Sequence, residues 1–135
     1  MYLLDTNVVS ELRRPRPHDA VLDWIVDIPA ELLFVPAVTI GEIQAGIEIT
    51  REQDEAKAEE LEAWLEKILA SFGVLSMNAS AFREWARLMH RKSDTLTEDA
   101  MIAATAIVHR LTVVTRNVGD FGQLGVALLN PFERK

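Results

Sequence analysis

The chain begins with Tyr2-Leu3-Leu4-Asp5-Thr6-Asn7, a short apolar run that ends at an acid and two polar residues. Similar apolar runs follow at 32–35, 74–75, 112–115 and 126–129. Each is typical of a brief buried strand. Strands separated by helices need crossover connections, so the pattern predicts an α/β fold with a mainly parallel sheet of about five strands, covered on both faces.

Helical patterns fill the segments between these runs. The predicted helices cover 19–27, 39–49, a stripe at 61–69, a stripe at 82–89, and 100–108. The second of them is predicted to begin with a capping box, Thr39-x-x-Glu42. The last is apolar on every side except Thr105, which indicates a buried helix.

Composition limits the classes of protein that the sequence allows. The 135 residues, 49% of them apolar and 26% charged, predict a single globular domain over 1–135. The absence of cysteine excludes a disulfide framework, thiolate metal sites and a thiol nucleophile. No apolar run is long enough to span a bilayer, and no basic region precedes the first one, so we expect a cytoplasmic protein without a membrane partner.

The charge is acidic overall but unevenly distributed. A formal charge of −7 argues against indiscriminate electrostatic binding to nucleic acid. The segment 52–66 is rich in acids and reads either as a solvated helix face or as a surface for a basic partner segment. The basic residues chosen as candidate contacts to a polyanion or a protein partner are Arg13, Arg14, Arg16, Arg87 and Arg91. Solvated surface is the alternative for each of them.

Four acids stand where strands end or helices begin: Asp5, Glu42, Asp99 and Asp120. In open parallel α/β sheets, ligands bind beyond the carboxyl ends of the strands. Each acid alone has a structural explanation as a helix cap or a turn residue. If the fold brings these acids close together, their charges repel one another. Such a cluster destabilises the folded protein unless a cation binds to it.

Oxygen ligands without cysteine or a histidine pair suit Mg²⁺ or Mn²⁺ better than zinc or copper. Such an ion would neutralise the acids, polarise a phosphate oxygen and help to generate hydroxide. The residues therefore favour hydrolysis of a phosphodiester bond.

Ordered sequence blocks resemble the PIN-domain ribonucleases, and among them the VapC toxins of type II toxin-antitoxin systems, with a closer likeness to the FitB-like branch. The blocks are Leu3-Leu4-Asp5-Thr6-Asn7-Val8-Val9-Ser10-Glu11, Val38-Thr39-Ile40-Gly41-Glu42, Asp99-x-x-Ile102-Ala103-Ala104-Thr105-Ala106, Leu111-Thr112-Val113-Val114-Thr115-Arg116-Asn117-x-x-Asp120-Phe121 and Asn130-Pro131-Phe132. They extend over nearly the whole chain.

The resemblance implies a three-layer α/β/α sandwich whose acidic pocket binds Mg²⁺ or Mn²⁺ and cuts RNA. It places Asp5, Glu42 and Asp99 at three core acidic positions. The fourth position falls on either Asn117 or Asp120, which leaves one metal ion or two open.

Among the polar residues of the pocket, Asn7 is expected to hydrogen-bond the acids. Thr115 and Asn117 are expected to position water or the scissile phosphate. Thr6 is given no clear role.

The resemblance further implies a cognate VapB/FitA-like antitoxin, an RNA substrate, a homodimer or a larger toxin-antitoxin assembly, and contact with operator DNA through the antitoxin alone. A non-catalytic PIN-like scaffold that binds RNA or protein is the alternative. A haloacid-dehalogenase-like phosphatase is disfavoured, because it would need an aspartate where Asn7 stands.

Overall fold

The computed structural model describes residues 1–133. Its strands are β1 (Tyr2–Leu4), β2 (Leu33–Pro36), β3 (Gly73–Leu75), β4 (Thr112–Val114) and β5 (Leu128–Leu129). The helices are α1 (Thr6–Glu11), α2 (Asp19–Val26), α3 (Ala37–Arg51), α4 (Glu55–Ser71), α5 (Ala79–Met89), α6 (Thr97–His109) and α7 (Val118–Gly122). Short 3₁₀ turns occupy Ala30–Leu32 and Asp94–Leu96.

The five strands form one sheet in the order β3-β2-β1-β4-β5, and every neighbouring pair is parallel. The predicted α/β fold with a five-stranded parallel sheet is therefore confirmed. From β1 the chain builds outward to β2 and β3, and then returns to the other side of β1 to place β4 and β5. This reversal makes the carboxyl ends of β1 and β4 the switch point, where parallel sheets bind their ligands.

Alternate residues of the strands face opposite layers, because successive side chains of a strand point to opposite sides. Leu3 and Val113 pack with residues of α6 and with Phe121 of α7. Their neighbours Leu4 and Val114 pack on the other face, with residues of α1, α2 and α4. The sheet is thus the middle of three layers, as predicted.

One helix start differs from the prediction. The capping box at Thr39 is wrong, since α3 begins at Ala37, directly after Pro36, and has no side-chain cap. Pro36 ends β2 and leads directly into the helix. Proline has no backbone N–H, so at this position no donor is left without a partner. Thr39 is instead fully buried inside the first turn. Within residues 1–133, no helix is both long and apolar enough to cross a membrane.

Candidate active site at the carboxyl edge of the sheet

Asp5 lies at the switch point, directly after β1. The β1–β4 register pairs Leu4 with Val114, so the next residues, Asp5 and Thr115, leave the sheet side by side. The Thr115 hydroxyl donates to Asp5 Oδ2 at 2.8 Å. Asn7 Nδ2 donates to the same oxygen at 2.9 Å, and the Thr6 backbone N–H donates to Oδ1 at 2.7 Å. Three donors thus hold an almost fully buried carboxylate in one orientation.

Glu42 reaches this edge from α3, the helix that follows β2. The Thr6 hydroxyl donates to Glu42 Oε1 at 3.0 Å and lies 2.9 Å from the Thr39 hydroxyl. A threonine hydroxyl has one proton, so when Thr6 donates to Glu42 it accepts from Thr39. Thr6 therefore connects Glu42 to Asp5, through its hydroxyl on one side and its backbone N–H on the other.

Asp99 and Asp120 approach from the other side, from the first turns of α6 and α7. The Asn117 side-chain amide donates to both, at 3.2 Å to Asp99 Oδ2 and 3.1 Å to Asp120 Oδ2. The Asn117 backbone N–H donates to Thr115 Oγ1 at 2.9 Å. One hydrogen-bond network therefore joins all four predicted acids at a single edge of the sheet.

The acids also interact through their charges. The pKa of Asp99 is raised to about 6, first by burial and then by the charges of Asp5, Asp120, Glu42 and Glu98. Each nearby negative charge makes it harder for Asp99 to lose its proton. Burial and the neighbouring negative charges thus act together to disfavour the ionised form of Asp99.

Asp5 and Glu42 also have raised pKa values. Burial raises the pKa of Asp5, against the opposing effect of its hydrogen bonds from Thr115, Thr6 and Asn7. The pKa of Glu42 is raised by partial loss of hydration and by the charges of Asp5 and Glu98, and lowered by the Thr6 hydrogen bond. Both carboxylates would therefore gain from a nearby cation.

The donor chemistry fits a hard divalent cation, since carboxylate and amide oxygens are the ligands that Mg²⁺ and Mn²⁺ prefer. None of the ion pairs within residues 1–133 neutralises Asp5, Glu42, Asp99 or Asp120. In the same part of the chain, no three acidic or histidine side chains lie close enough to hold one ion as they stand. Binding an ion would thus require these side chains to move together.

The structure separates the predicted contact arginines into two groups. Arg13 borders a groove of about 260 Å³ that is also lined by Thr6, Glu42 and Trp64, so it connects with the acidic site. Arg14 lies beyond it, 3.8 Å from Glu11. Arg16 is exposed in the following loop.

The second group lies on the opposite layer. Arg87 is near the end of α5 and pairs with Glu84 at 2.9 Å. Arg91 lies in the turn between α5 and α6. Neither residue is part of the hydrogen-bond network of the acids.

Sequence reasoning missed several residues of the site. Thr6, for which the sequence predicts no clear role, lies at the centre of the network, and Thr39, predicted to cap a helix, contacts Thr6 instead. Glu98 adds its charge to the acids. Thr115 is fully buried and its hydroxyl donates to Asp5, so it orients that acid. Thr6 and Glu98 each stand directly beside a predicted acid in the sequence, and that adjacency was the signal available for them.

Comparison with known proteins identifies the family. The family model described as PIN domain matches residues 2–125. The chain belongs to the PIN-domain family. Its five-stranded parallel sheet agrees with that of PIN-domain structures.

Several PIN-domain relatives are similar along nearly their whole length. The plasmid stability protein StbB of Pseudomonas syringae is 37% identical, with 98% of this chain and 99% of the relative covered. The toxin FitB of Neisseria gonorrhoeae and the VapC ribonuclease Y4jK of Sinorhizobium fredii are each 33% identical, with the same coverage.

Two solved structures have the same PIN-domain fold. The crystal structure of FitAcB from Neisseria gonorrhoeae superposes with a TM-score of 0.88 at 34% identity, covering 99% of this chain and 100% of that one. The structure of FitAB bound to the IR36 DNA fragment gives a TM-score of 0.87 at 32% identity, covering 100% and 98%.

Proposed function

We propose that this chain is a metal-dependent endoribonuclease that serves as the toxin of a toxin-antitoxin pair. One observation carries the proposal: carboxylates from four separate segments gather at one edge of the sheet, where burial, and then the charges of the neighbouring acids, raise the pKa of Asp99 to about 6. The similarity to proteins named as a toxin and as a VapC ribonuclease supports the choice of RNA as substrate. A non-catalytic scaffold would have no need of this costly group of acids.

In this proposal Asp5, Glu42, Asp99 and Asp120 hold Mg²⁺ or Mn²⁺. A bound ion would polarise the phosphate and lower the pKa of water. Thr6, Asn7 and Thr115 fix the orientation of Asp5 and Glu42. Asp120 would supply the fourth carboxylate, and Asn117 would hold it beside Asp99.

The partner in this proposal is a cognate antitoxin. Its support is the similarity to FitAcB and to FitAB bound to DNA. The groove that links Arg13 and Trp64 to Thr6 and Glu42 offers an apolar surface next to the acids, which an antitoxin segment could cover to block access. Contact with DNA would then be made by the antitoxin, and the toxin would form a homodimer within the larger assembly.

A cleavage assay with a matched pair of aspartate variants tests the catalytic proposal. Asp99→Asn and Asp5→Asn should abolish Mg²⁺-dependent cleavage of RNA by the purified protein. Asp94→Asn, on the exposed 3₁₀ turn just before α6, should cleave like the parent. Cleavage that survives both site substitutions would show that these acids do not carry the reaction.

A further inference from the structure

Arg116 lies in sequence between two residues of the acidic network, but its side chain takes no part in the network's hydrogen bonds. Its neighbours Thr115 and Asn117 both contribute hydrogen bonds to the acids. Its own backbone N–H donates to Asn7 Oδ1 at 3.3 Å, and the side-chain amide of Asn7 in turn donates to Asp5 Oδ2. The side chain is exposed. Arg116 therefore stands at the rim of the site, with its guanidinium facing solvent.

The guanidinium is held in a defined place by an aromatic ring. Its Cζ atom lies 3.7 Å from the centroid of the Phe132 ring. Phe132 is itself fixed: it packs on the core, its ring meets His18 edge-on at 5.4 Å, and its backbone N–H donates to Asn130 Oδ1 at 3.0 Å. The ring thus reduces the freedom of a long side chain that would otherwise move in solvent.

Stacking leaves the hydrogen-bond donors of the guanidinium available. Those donors point outward in the plane of the group, whereas the ring covers only its face. In the described part of the chain, Arg116 makes no ion pair with any carboxylate. A planar fork of free donors, oriented in advance, matches the geometry of a phosphate.

The negative charge of the site explains why an arginine at this position would help to bind RNA. An acidic edge repels RNA, and the protein as a whole has a charge of −7. The four segments that form the acidic edge are 5–7, 39–42, 97–99 and 115–120, and Arg116 is their only basic residue. A cation on this segment, with its guanidinium beside Phe132 at the rim, would attract an RNA strand that approaches the acidic edge.

We propose that Arg116 binds a backbone phosphate of the RNA substrate at the rim of the site, and that Phe132 orients its guanidinium for this contact. The inference rests on the proposed ribonuclease function and adds a substrate contact to it. The competing explanations are that Arg116 serves only to fasten the C-terminal segment to the domain, or that it receives a carboxylate of the antitoxin.

The test measures RNA binding without cleavage. Asp99→Asn serves as the background in the presence of a chelator, because it blocks the reaction and removes one repelling charge. The probe is a short fluorescein-labelled single-stranded RNA of mixed sequence, followed by anisotropy between about 50 and 200 mM salt. Arg116→Gln should weaken binding about fivefold and reduce the slope of log K against log salt by about 0.7, the value for one lost contact to a single strand.

Further variants separate charge from orientation. Arg116→Lys and Phe132→Leu retain the positive charge, so they should keep the salt slope while lowering the affinity. Arg110→Gln is the matched control: this exposed arginine precedes β4, whereas Arg116 follows it, so the two lie at opposite ends of the same strand. It should change neither quantity.

Three results would overturn the inference. One is an unchanged affinity and salt slope for Arg116→Gln. Another is a lower melting temperature for Arg116→Gln with the slope unchanged, which would indicate that the residue only fastens the C-terminal segment. The third is weaker binding of an antitoxin peptide with unchanged binding of RNA. If the parent protein cleaves RNA with Mg²⁺ in any of these cases, the ribonuclease proposal stands and only the role of Arg116 fails. A parent protein that neither binds nor cleaves RNA would refute both.

Discussion

Replacing a proposed catalytic acid should make the metal-free protein more stable. Asp99 faces the charges of Asp5, Asp120, Glu42 and Glu98, which together with burial raise its pKa to about 6. An ionised Asp99 is therefore less favourable in the folded protein than in the unfolded chain. Asp99→Asn removes the charge but keeps the shape and an oxygen that can accept a hydrogen bond. We expect a gain in the free energy of unfolding together with a loss of cleavage.

The size of the gain follows from the pKa. A rise from 3.8 to about 6 corresponds to about 3 kcal/mol at neutral pH. Because Asp99 is only partly buried, solvent screening reduces the expected gain to about 1–2 kcal/mol. In a domain of this size that is an increase in the melting temperature of roughly 3–8 °C.

The pH dependence has a definite sign. The folded protein holds the Asp99 proton more tightly than the unfolded chain, so the penalty is absent below the ordinary pKa of 3.8 and complete above about 6. At about pH 5, roughly half of the gain from Asp99→Asn should remain. The advantage of the variant should therefore grow as the pH rises.

Thermal unfolding in the presence of a chelator measures this effect, at about pH 5 and at about pH 8. The control is Asp94→Asn, an exposed aspartate whose replacement should change stability by no more than about 0.5 kcal/mol. A variant Asp99→Asn that melts below the parent, or whose gain is equal at the two pH values, would refute the view that burial and the neighbouring acids make ionised Asp99 unfavourable in the folded protein.

Three other outcomes follow from the same geometry. Thr115→Val should lower the free energy of unfolding by about 1–3 kcal/mol in a denaturant titration, because Asp5 loses a buried donor. The control is Thr105→Val, since Thr105 is equally buried but its hydroxyl bonds only a helix carbonyl; it should change the free energy of unfolding by less than about 0.5 kcal/mol. With limiting Mg²⁺, the initial rate of RNA cleavage should rise as the pH increases through about 6, since Asp99 must lose its proton to bind a cation; a flat profile would argue against this. Thr6→Val should reduce kcat for RNA cleavage roughly tenfold, whereas Thr6→Ser should retain most of it, because only the serine hydroxyl can still orient Glu42. Equal values of kcat for the two variants would contradict that role.

Much of the fold could be read from the sequence because its signals are local. Short apolar runs marked all five strands to within two residues at either end, and the apolar segment 100–108 marked the buried helix α6. The predicted start of α3 is wrong because Thr39 and Glu42 have the spacing of a capping box without forming one. Their hydroxyl and carboxylate instead meet Thr6, which is 33 and 36 residues away. A long-range contact had replaced the local one.

The site was predictable as a set of acids but not as a network. A parallel sheet brings its carboxyl ends to one edge, so residues that follow different strands could be expected to meet there. Which donor serves which acid depends on the register of β1 and β4 and on side-chain direction, neither of which the sequence encodes locally. The contact of Arg116 with Phe132 has the same origin, since it joins the edge of the site to the end of the chain.

Calorimetric titration with Mn²⁺ tests the central claim most directly, because it asks whether the gathered carboxylates take up a divalent cation. The parent protein and Asp94→Asn should both bind the ion and release protons as they do so, and Asp99→Asn, confirmed to be folded, should have lost that binding. No uptake by the parent protein, or equal uptake by Asp99→Asn, would contradict the account.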